Sequence, residues 1–478
     1  MTFVVGLDLG TQSAKAVVHD AALIVRGVGR APIVTTYPRP GWAEQAPRQW
    51  DEAIARAIAE ALAAAAITAR DVVAVGITGQ LDGLVAVDAA GAPCSPCLPW
   101  LDRRAALPPV DAALIMAIGG VVADPGHLAA KARYWDEHGG ARAACFHAPV
   151  SYLVERLTGA RVIDPALAST TMLYDLAAEA WSPTLAAAFA IDPSRLPTIA
   201  PAGRAAGTVH AAGAARTGLA IGTVVAVGTG DDFATAIGIG LAERTLVCAV
   251  GTAEVVGARG ELGTRDHARL VQTHPYPLGG ALVEHPGWAA GGAMTWLAGL
   301  TGVDVAGLDE AAAATAPGAD GVRFVPALGG AMVPRWDPRG RAAFVGLGPG
   351  HGVGHLARAV YEACAIAMAV VRDRLAACGV TTDSIALVGG GARADTWARI
   401  RADVAGVPVA RYADADAAPR GAAMLAHAAL ADGDLAAAVA RAPRPDAWLE
   451  PEPAPIYAEV RAELLAIIEA LAPIDAAH

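Results

Sequence analysis

Three stretches of the chain share one pattern, a short run of β-branched and aliphatic residues that ends in glycines and small polar residues. They read FVVGLDLGTQSAK from residue 3, TLVCAVGTAEVVG from residue 245 and SIALVGGGARADTW from residue 384. Apolar runs of this kind, bounded by glycine, are typical of buried strands that lead into tight loops. The pattern therefore predicts three strands, each followed by a glycine-containing loop.

Alanine-rich stretches with the character of helices lie between and around these strands, at 50–69, 355–378 and 394–404. Strands that alternate with helices predict an α/β fold built on central sheets. The strand and glycine loop near residue 8 recur near residue 250, which predicts two domains of related design. We place the boundary in the short polar break AERT at 242–245 and expect domains at 1–243 and 244–478.

Hydrophobic residues make up 54% of the 478 residues, a fraction that could indicate a membrane protein. The excess, however, is alanine, which is only weakly hydrophobic. No segment of about twenty residues is both free of charge and rich in larger aliphatic side chains, so we predict no transmembrane helix. A strand that begins at Phe3, with no basic segment before it, argues against a signal peptide and indicates a cytoplasmic protein.

The formal net charge of -11 argues against nucleic acids and anionic membranes as partners. It does not exclude phosphate ligands, which backbone N–H groups often hold. Six cysteines in a chain of this length do not form a disulfide framework, and we expect reduced thiols. Cys94 and Cys97 form a CxxC in a proline-rich turn, where neither a redox nor a zinc role is favoured.

The first glycine loop has the chemistry of a phosphate-binding turn. Gly10, after the first strand, permits a sharp turn and a close approach of the backbone to a ligand. Asp8 at the end of the strand could hold Mg²⁺ directly or through water. The alternative is an ordinary hairpin with an Asx-type turn. The donors that follow Gly10, and the positive charge nearby, are Thr11, Gln12, Ser13 and Lys15.

The stretch VAVGTGDDFATAIGIGL at 225–241 brings two glycines and two adjacent acids to the start of an apolar helix. An acid at a helix N-terminus is commonly only a cap, and we expect that role for one of the pair Asp231 and Asp232. Gly228 and Gly230 leave room for a ligand to lie against the backbone. Asp231 can then accept the proton of a substrate hydroxyl that attacks a phosphoryl group.

Two later loops suit the remaining parts of a nucleotide. Gly251–Thr252 repeats the arrangement of Gly10–Thr11 after a strand, and Gly389–Ala392 leads from a strand into a helix. Bare backbone at the second of these loops suits the flat face of an adenine or a ribose. The sequence contains no GxxxxGK[ST] loop, so phosphates would be held without a Walker motif.

Taken in order, these motifs resemble the FGGY family of carbohydrate kinases, and within it the xylulokinase branch. The resemblance covers essentially the whole chain and implies two actin-like, ribonuclease H-like domains with ATP, Mg²⁺ and sugar in the cleft between them. The matching motifs are DLGTQSAK (8–15), GWAEQAPRQW (41–50), ITGQLDG (77–83), PWLDRRA (99–105), AKARYW (130–135), GTGDD (228–232), GT (251–252), FVPALGG (324–330), GGGARADTW (389–397) and GAAMLAHAAL (421–430).

The resemblance also implies roles for individual residues. Asp8 and Asp231 are implied as the catalytic and metal-linked carboxylates, with Asp231 as the general base. The implied sugar-binding residues are Gln80, Leu81, Asp82, Trp100, Asp102, Asp231 and Asp232. The implied nucleotide-binding residues are Gly10, Thr11, Gln12, Ser13, Lys15, Gly251, Thr252, Gly390, Gly391 and Ala392. Further residues implied to line the cleft are Trp42, Glu44, Gln45 and Arg103.

The activity implied by the resemblance is ATP-dependent phosphorylation of a small sugar, with D-xylulose converted to its 5-phosphate as the first expectation. Asp82 stands where xylulokinases typically carry a histidine, and a carboxylate only accepts hydrogen bonds. A kinase for a short polyol or tetrulose, such as erythritol, is therefore the alternative. From other classes, an actin-like ATPase with a protein partner and a degenerate kinase that serves as a sugar-responsive regulator stay open. Family habit suggests a homodimer.

Three further departures from the family pattern bear on the site. Asp232 replaces the usual Asn, and the repulsion between two adjacent acids could raise one pKa. GGAMVP at 329–334 replaces GERxxP, and AAPR at 417–420 replaces an acidic residue before GAA. We expect the last two departures to alter nucleotide or sugar contacts.

Overall fold

The computed structural model describes residues 2–139, 142–337, 339–413, 416–452 and 454–476, and the chain divides into two compact units. The first unit comprises Met1–Gly240, Thr273–Ala281 and Asp416–Pro443. The second unit comprises Leu241–Gln272, Leu282–Ala415 and Arg444–His478. Two late segments thus fold with the first unit, a feature that a linear division at 243/244 does not contain. That division stays a prediction of the domain boundary.

A seven-stranded mixed sheet forms the centre of the first unit. Its strands lie in the order Ala205–Thr208, Val224–Ala226, Val72–Gly79, Phe3–Leu9, Ser13–Asp20 and Val25–Pro32, and Thr229–Gly230 also pairs with Val72–Gly79. Short strands pair as Val85–Val87 with Cys145–His147, Val162–Ile163 with Thr198–Ile199, and Tyr174–Asp175 with Ala180–Trp181. The α-helices of this unit are Pro47–Ala64, Ala112–Gly119, Leu128–His138, Pro149–Thr158, Pro165–Thr170, Pro183–Ala188, Ala211–Thr217, Asp231–Gly238, Ala417–Leu430 and Leu435–Val439.

The second unit is built on a sheet of its own. Its strands lie in the order Ala281–Ala289, Ala253–Gly260, Thr245–Val250, Ser384–Val388, Val409–Tyr412 and Ala447–Leu449, and a separate pair joins Arg323–Val325 to Ala343–Val345. Its α-helices are Gly291–Thr301, Val305–Ala313, Val353–Ala377, Asp395–Ala405 and Ile456–Ala476. Strand Gln272–Pro275 begins where the chain passes from the second unit to the first. Short 3₁₀ turns occur at Ala69–Asp71, Pro193–Arg195, Ala319–Gly321 and Gly390–Arg393.

The two units repeat one arrangement around their glycine loops. In the first unit, strand Phe3–Leu9 forms a hairpin with the next strand and pairs in parallel with Val72–Gly79. In the second unit, strand Thr245–Val250 forms a hairpin with the next strand and pairs in parallel with Ser384–Val388. This repetition agrees with the predicted α/β fold of two related halves.

Helix Ala417–Leu430 packs into the first unit although it lies late in the sequence. A Cβ atom on Gly76 would lie 1.8 Å from the backbone oxygen of Ala422, and one on Gly6 would lie 1.8 Å from that of Pro419. Only glycine permits the backbones of helix and strand to approach so closely. The AAPR departure therefore lies at the start of a helix whose close packing on the sheet depends on glycines.

One helix, Val353–Ala377, is long and apolar enough to cross a membrane by length and composition alone, although the sequence analysis predicts no such helix. The structure buries 72% of its most apolar window. It packs on helices Val305–Ala313 and Asp395–Ala405 of the second unit. A buried core helix passes the same test of length and composition, and this helix is the core of the second unit.

Gly76→Ala tests the packing of helix Ala417–Leu430 on the sheet. We expect a loss of about 3 kcal/mol or more in the free energy of unfolding, because the new methyl group would overlap the Ala422 carbonyl. Gly299→Ala is the control: a Cβ atom at this helical position meets nothing within 4 Å. It should stabilise the protein by about 0.5–1 kcal/mol. Urea unfolding measures both, and a neutral Gly76→Ala would contradict the packing.

Candidate active site

Three strands of the first unit end together at one edge of the sheet. Parallel pairing sets Asp8 opposite Thr78, and Thr78 opposite Thr229. Parallel strands direct their carboxyl ends to the same edge, where α/β proteins commonly bind ligands. The segments that follow these strands therefore lie side by side: two loops begin at Gly10 and Gln80, and a helix begins at Asp231.

Asp8 and Asp231 lie at this edge with their carboxyl groups desolvated by the surrounding protein. Burial, with a further contribution from the charge of Asp231, raises the pKa of Asp8 to about 7. Burial raises the pKa of Asp231 to about 6, and the charge of Asp82 adds to the effect. Oδ1 of Asp8 is buried and has no hydrogen-bond partner among the described residues. The arrangement favours a bound cation, because a positive charge would relieve the repulsion and the desolvation together.

The first glycine loop closes a hairpin, and the Gly10 N–H donates to the Ser13 oxygen over 3.0 Å. Lys15 lies opposite Asp8 in the hairpin register and is buried. Its ammonium group forms an ion pair with Asp416, which precedes helix Ala417–Leu430. The positive charge that the sequence analysis assigns to phosphates is therefore already shared with a carboxylate.

Thr11 connects the glycine loop to the predicted sugar-binding residues. Its Oγ1 accepts a hydrogen bond from Trp100 Nε1 over 3.0 Å, and its backbone oxygen accepts one from Gln45 Nε2 over 2.8 Å. Gln80 Nε2 donates to Gln45 Oε1 over 2.9 Å, and Gln80 is only 1% exposed. This network fixes Trp100, which is 40% exposed, beside the turn.

Asp82 is held by two cationic side chains. Its carboxylate Oδ1 lies 2.9 Å from His127 Nδ1, and Lys131 Nζ donates to the backbone oxygens of Asp82 over 2.8 Å and Pro99 over 2.7 Å. Burial disfavours the carboxylate, but the charge and hydrogen bond of His127 hold the pKa of Asp82 below its ordinary value. Burial lowers the pKa of Lys131 to about 8. Asp82 is therefore an ionised acceptor, and Lys131 ties its loop to the segment before Trp100.

The carboxylate of Asp102 already has partners within the protein. Asp102 is 0% exposed and accepts hydrogen bonds from the Ala43 N–H over 2.7 Å and from Arg104 Nε over 2.9 Å. Arg104 also pairs with Glu44 over 2.8 Å and lies 3.7 Å above the ring of Trp42. A contact of Asp102 with sugar stays a prediction, and in the structure its carboxylate anchors Arg104.

The predicted sugar-binding residues Leu81 and Asp232 lie beside Asp231. Leu81 approaches Gly230 so closely that a Cβ atom on Gly230 would lie 2.9 Å from Leu81 Cδ1. Asp232 is the second residue of helix Asp231–Gly238, whose N-terminus favours negative charge. Their roles toward a substrate stay predictions.

Sequence reasoning missed several residues of this edge. His274, in the returning segment Thr273–Ala281, lies 2.7 Å from Ser169 Oγ through Nδ1, and burial lowers its pKa to about 3. Asp164 accepts a hydrogen bond over 2.9 Å from Thr229, two residues before Asp231. The motif AKARYW contains Lys131 and was the usable signal for that residue. No local pattern marks His274 or Asp164.

The predicted nucleotide-binding residues of the second unit meet at the ends of two parallel strands. Gly251–Thr252 forms the hairpin turn after one strand, and the short turn Gly390–Arg393 follows the other. Gly389 has φ 89°, and a Cβ atom on it would lie 2.8 Å from the Val250 backbone oxygen. Gly251, Thr252 and Gly390 are exposed, whereas Ala392 is fully buried, so only part of the second loop presents its backbone. The nucleotide contacts of both loops stay predictions.

Helix Gly291–Thr301 begins against the Gly251–Thr252 turn. The Gly292 N–H donates to the Thr252 oxygen over 2.9 Å, and a Cβ atom on Gly291 would lie 2.2 Å from the Gly251 oxygen. The signal for this contact is the glycine pair in GWAAGGAMTW, which the sequence analysis did not use.

A buried ion pair joins the two glycine loops of the second unit from behind. Glu254 follows the Gly251–Thr252 turn and Arg401 lies on the helix after Gly390–Arg393; their side chains are 2.5 Å apart and 0% exposed. Burial raises the pKa of Glu254, while the charge of Arg401 opposes the rise. The pair fixes the spacing of the two loops.

A cavity of about 570 Å³ opens at the start of helix Asp395–Ala405. Asp395 and Thr396, which closely follow the Gly390–Arg393 turn, form part of its lining together with Arg358, Arg399 and Arg411. The lining continues along the helix to Asp403 and includes none of the predicted nucleotide-binding residues, so the cavity is distinct from the predicted nucleoside site.

Comparison with known proteins identifies the family. The model for the N-terminal domain of the FGGY family of carbohydrate kinases matches residues 3–238, and the model for its C-terminal domain matches residues 246–430. The chain belongs to the FGGY family of carbohydrate kinases. It is 32% identical to a glycerol kinase from Methylibium petroleiphilum and 31% identical to a xylulose kinase from Escherichia coli, in each case over 89% of this chain and 90% of the relative.

Solved structures of the family share its fold. The crystal structure of xylulose kinase from Rhodospirillum rubrum is 29% identical, has a TM-score of 0.86 and is covered over 99% of both chains. The predicted family, its two-domain actin-like and ribonuclease H-like fold, and its class as an ATP-dependent carbohydrate kinase are therefore confirmed. The roles given to single residues of this FGGY kinase stay predictions.

Lys131→Met tests whether Lys131 holds the loop that contains Asp82, which is predicted to bind the sugar. Loss of two hydrogen bonds from a charged donor should raise the KM for sugar about tenfold or more and leave the KM for ATP unchanged. Arg133→Met on the same helix is the matched control, because Arg133 pairs at the surface with Glu137. Steady-state kinetics measures both variants. An unchanged KM for sugar in Lys131→Met would exclude this role.

Glu254→Gln and Arg401→Met test the ion pair behind the nucleotide loops. Each should cost about 3–5 kcal/mol in the free energy of unfolding, because it leaves a buried partner without its counter-charge. The double variant should recover part of that loss, since no charge is then left unpaired. Denaturant unfolding measures the cycle. Strictly additive losses would show that the two side chains are not coupled.

Proposed function

We propose that this FGGY kinase transfers the γ-phosphoryl group of ATP to a hydroxyl of a small neutral sugar, with D-xylulose as the first substrate and its 5-phosphate as the product. The observation that carries the proposal is the parallel register that ends at Asp8, Gln80 and Asp231 on one sheet edge. Similarity to a xylulose kinase along most of the chain supports the choice of substrate.

Asp8 and Asp231 are the residues proposed to hold the Mg²⁺ that accompanies ATP. The buried Oδ1 of Asp8, without a partner among the described residues, fits a cation. No group of three metal-ligating side chains occurs in the described part of the chain. That suits Mg²⁺, which usually keeps waters and substrate phosphates among its ligands. When bound, Mg²⁺ and ATP supply the phosphoryl group and neutralise its charge.

Asp231 is the proposed general base. It is the first residue of its helix and lies at the sheet edge where strand Thr229–Gly230 ends. The space beside Gly230 is filled by Leu81, so the expected room for a ligand at that glycine is occupied by the protein itself. Without a bound cation, burial raises the pKa of Asp231 to about 6, so its carboxylate is a better proton acceptor than that of an exposed aspartate. Because the charge of Asp82 contributes to that pKa, the sugar loop also tunes the base.

Backbone groups are proposed to hold the nucleotide. In the second unit we assign the phosphates to the turn Gly251–Thr252 and the nucleoside to Gly390–Ala392, because these two loops follow neighbouring parallel strands. In the first unit we assign further phosphate contacts to Gly10–Ser13. Lys15 contributes only the part of its charge that Asp416 leaves.

A short polyol or tetrulose is the second candidate substrate, and the ionised state of Asp82 favours it. An acceptor in place of the donor and acceptor of a histidine suits a ligand that offers only hydroxyl protons. The relative named a glycerol kinase is also as similar to this chain as the xylulose kinase. The two candidates share the reaction and differ in the length of the acceptor.

Asp231→Asn tests the proposed reaction. It should lower kcat by about 10²- to 10⁴-fold, because the base that takes the hydroxyl proton is lost. Sugar binding should change little, since an amide of the same size remains. ADP release with D-xylulose, erythritol, D-erythrulose and glycerol measures turnover in Mg²⁺ buffer, and a thermal-shift assay measures binding.

The same measurements separate the alternatives. Strong stimulation of ADP release by one compound supports the kinase. Equal basal hydrolysis with every compound would favour an actin-like ATPase, and sugar binding without turnover in the wild type would favour a regulator. Full turnover in Asp231→Asn would reject Asp231 as the base. We also propose that the protein acts on a small-molecule substrate, is located in the cytoplasm and forms a homodimer.

A further inference from the structure

The ring of His127 lies between two groups that can only accept hydrogen bonds. Nδ1 is 2.9 Å from Oδ1 of Asp82, and Nε2 is 3.1 Å from the backbone oxygen of Val122. A neutral imidazole has one N–H and cannot donate to both. Both bonds form together only in the imidazolium state, and His127 is only 4% exposed. The geometry therefore assigns a positive charge to this buried ring.

The surrounding charges agree with this assignment. Burial disfavours the imidazolium, and the neighbouring Lys131 also opposes it. The charge and hydrogen bond of Asp82, with a further contribution from Asp124, outweigh both and raise the pKa of His127. Carboxylate and imidazolium thus stabilise one another in the interior of the first unit.

Asp82 itself is held in one conformation. Its φ of 59° is in the left-handed region, which few residues other than glycine adopt, and Lys131 holds its carbonyl oxygen over 2.8 Å. His127 then fixes one carboxylate oxygen. The side chain of Asp82 keeps 22% of its surface exposed. Backbone and carboxylate are therefore both fixed, while part of the side chain stays accessible.

We propose that His127 is a positioning residue, which holds Asp82 as a fixed acceptor for substrate hydroxyls and thereby restricts the substrates to neutral ketoses and polyols and excludes sugar acids. This inference rests on the proposed function and deepens it, because it names the class of substrate. His127 acts through Asp82 and has no contact with the reacting atoms.

The exclusion of sugar acids follows from the charges around the site. The charge of Asp82 contributes to the raised pKa of Asp231, so the two carboxylates are close enough to interact electrostatically. An anionic substrate would approach both carboxylates, and these like charges disfavour its binding although His127 and Lys131 offset part of the charge of Asp82. A neutral ketose or polyol offers hydroxyl protons to the same carboxylates.

Substitution of His127 by Asn or by Gln distinguishes the two hydrogen bonds of its ring, because each amide can keep only one of them. Asn carries its amide near the position of Nδ1, so His127→Asn keeps a donor for Asp82. Gln carries its amide near the position of Nε2, so His127→Gln keeps a donor for Val122 and loses the one for Asp82. Both variants remove the charge. Asn is one methylene shorter than Gln, and the two variants differ chiefly in which hydrogen bond survives.

We expect His127→Gln to raise the KM for the best neutral substrate about tenfold or more, with kcat and the KM for ATP within about threefold of the wild type. His127→Asn should raise the same KM by only about threefold, because the bond to Asp82 persists. Steady-state ADP release measures both. Equal effects of the two amides would overturn the proposal.

A double-variant cycle tests whether His127 acts through Asp82. Asp82→Asn keeps the shape and tolerates the left-handed backbone. Adding His127→Gln to Asp82→Asn should not raise the KM further, because the acceptor that His127 positions is already gone. Additive increases in KM would contradict the proposal.

The substrate class is tested with D-xylulose, erythritol and D-xylonate. The wild type should prefer its best neutral substrate over D-xylonate by about a hundredfold in kcat/KM, and Asp82→Asn should reduce that preference about tenfold. A wild type that prefers D-xylonate would overturn the inference and leave a kinase. A wild type that phosphorylates none of the compounds, nor D-erythrulose or glycerol, would overturn the proposed function and the inference with it.

His147→Gln is the control for loosening of the first unit. His147 is also fully buried, with Nδ1 2.7 Å from Ser151 Oγ and Nε2 in an ion-pair contact of 2.6 Å with Glu155 Oε2. It should lower the thermal midpoint and leave the KM for sugar unchanged. If it raised that KM as much as His127→Gln does, the effect would be general destabilisation and the positioning role would be rejected.

Discussion

The burial of several carboxylates at one sheet edge is the constraint on which the first unit depends. Removing charge from water is costly unless it is paired, and Asp8, Asp82 and Asp231 carry like charges near one another. Among these three, Asp82 is the one whose negative charge is compensated by nearby cationic side chains of the described residues, namely His127 and Lys131. Asp8 and Asp231 keep raised pKa values, so an added cation beside them would relieve both burial and repulsion.

The second unit uses the same strand arrangement for a different purpose. Its glycine loops expose backbone at Gly251–Thr252 and Gly390–Arg393, and the charged residues lie behind them in the Glu254–Arg401 pair. A nucleotide needs donors and flat backbone surfaces, whereas a sugar hydroxyl needs a base. On the proposed assignment, one repeated arrangement would present side-chain charge to the sugar in the first unit and backbone to the nucleotide in the second.

What the sequence predicts well is what neighbouring residues decide. The hairpin at Gly10, the helix that begins at Asp231 and the glycine turn before helix Asp395–Ala405 all follow from short patterns, and the structure has each of them. The strand order follows less directly, although parallel pairing could be expected from the alternation of strands and helices.

The missing parts of the site come from contacts between distant segments. Asp416, the residue before helix Ala417–Leu430, pairs with Lys15 although a division at 243/244 assigns the two to different halves. In the same way, His274 contacts Ser169 of the first unit. His127 could not be recognised because a histidine before a helix has no local signature. Its partner becomes visible only when the loop after strand Val72–Gly79 is folded against it.

The Asp82–His127 pair explains how a departure from the family pattern can be tolerated. The xylulokinase pattern has a histidine at position 82, which can donate and accept hydrogen bonds, whereas aspartate only accepts. Aspartate alone would add an unpaired anion close to Asp231, at a cost in stability and in the ionisation of the base. His127 supplies the compensating charge, so the imidazole contacts the carboxylate of Asp82 instead of occupying position 82 itself. The polarity of this part of the site is therefore a property of two positions, and changing either one alone would leave a buried charge without its partner.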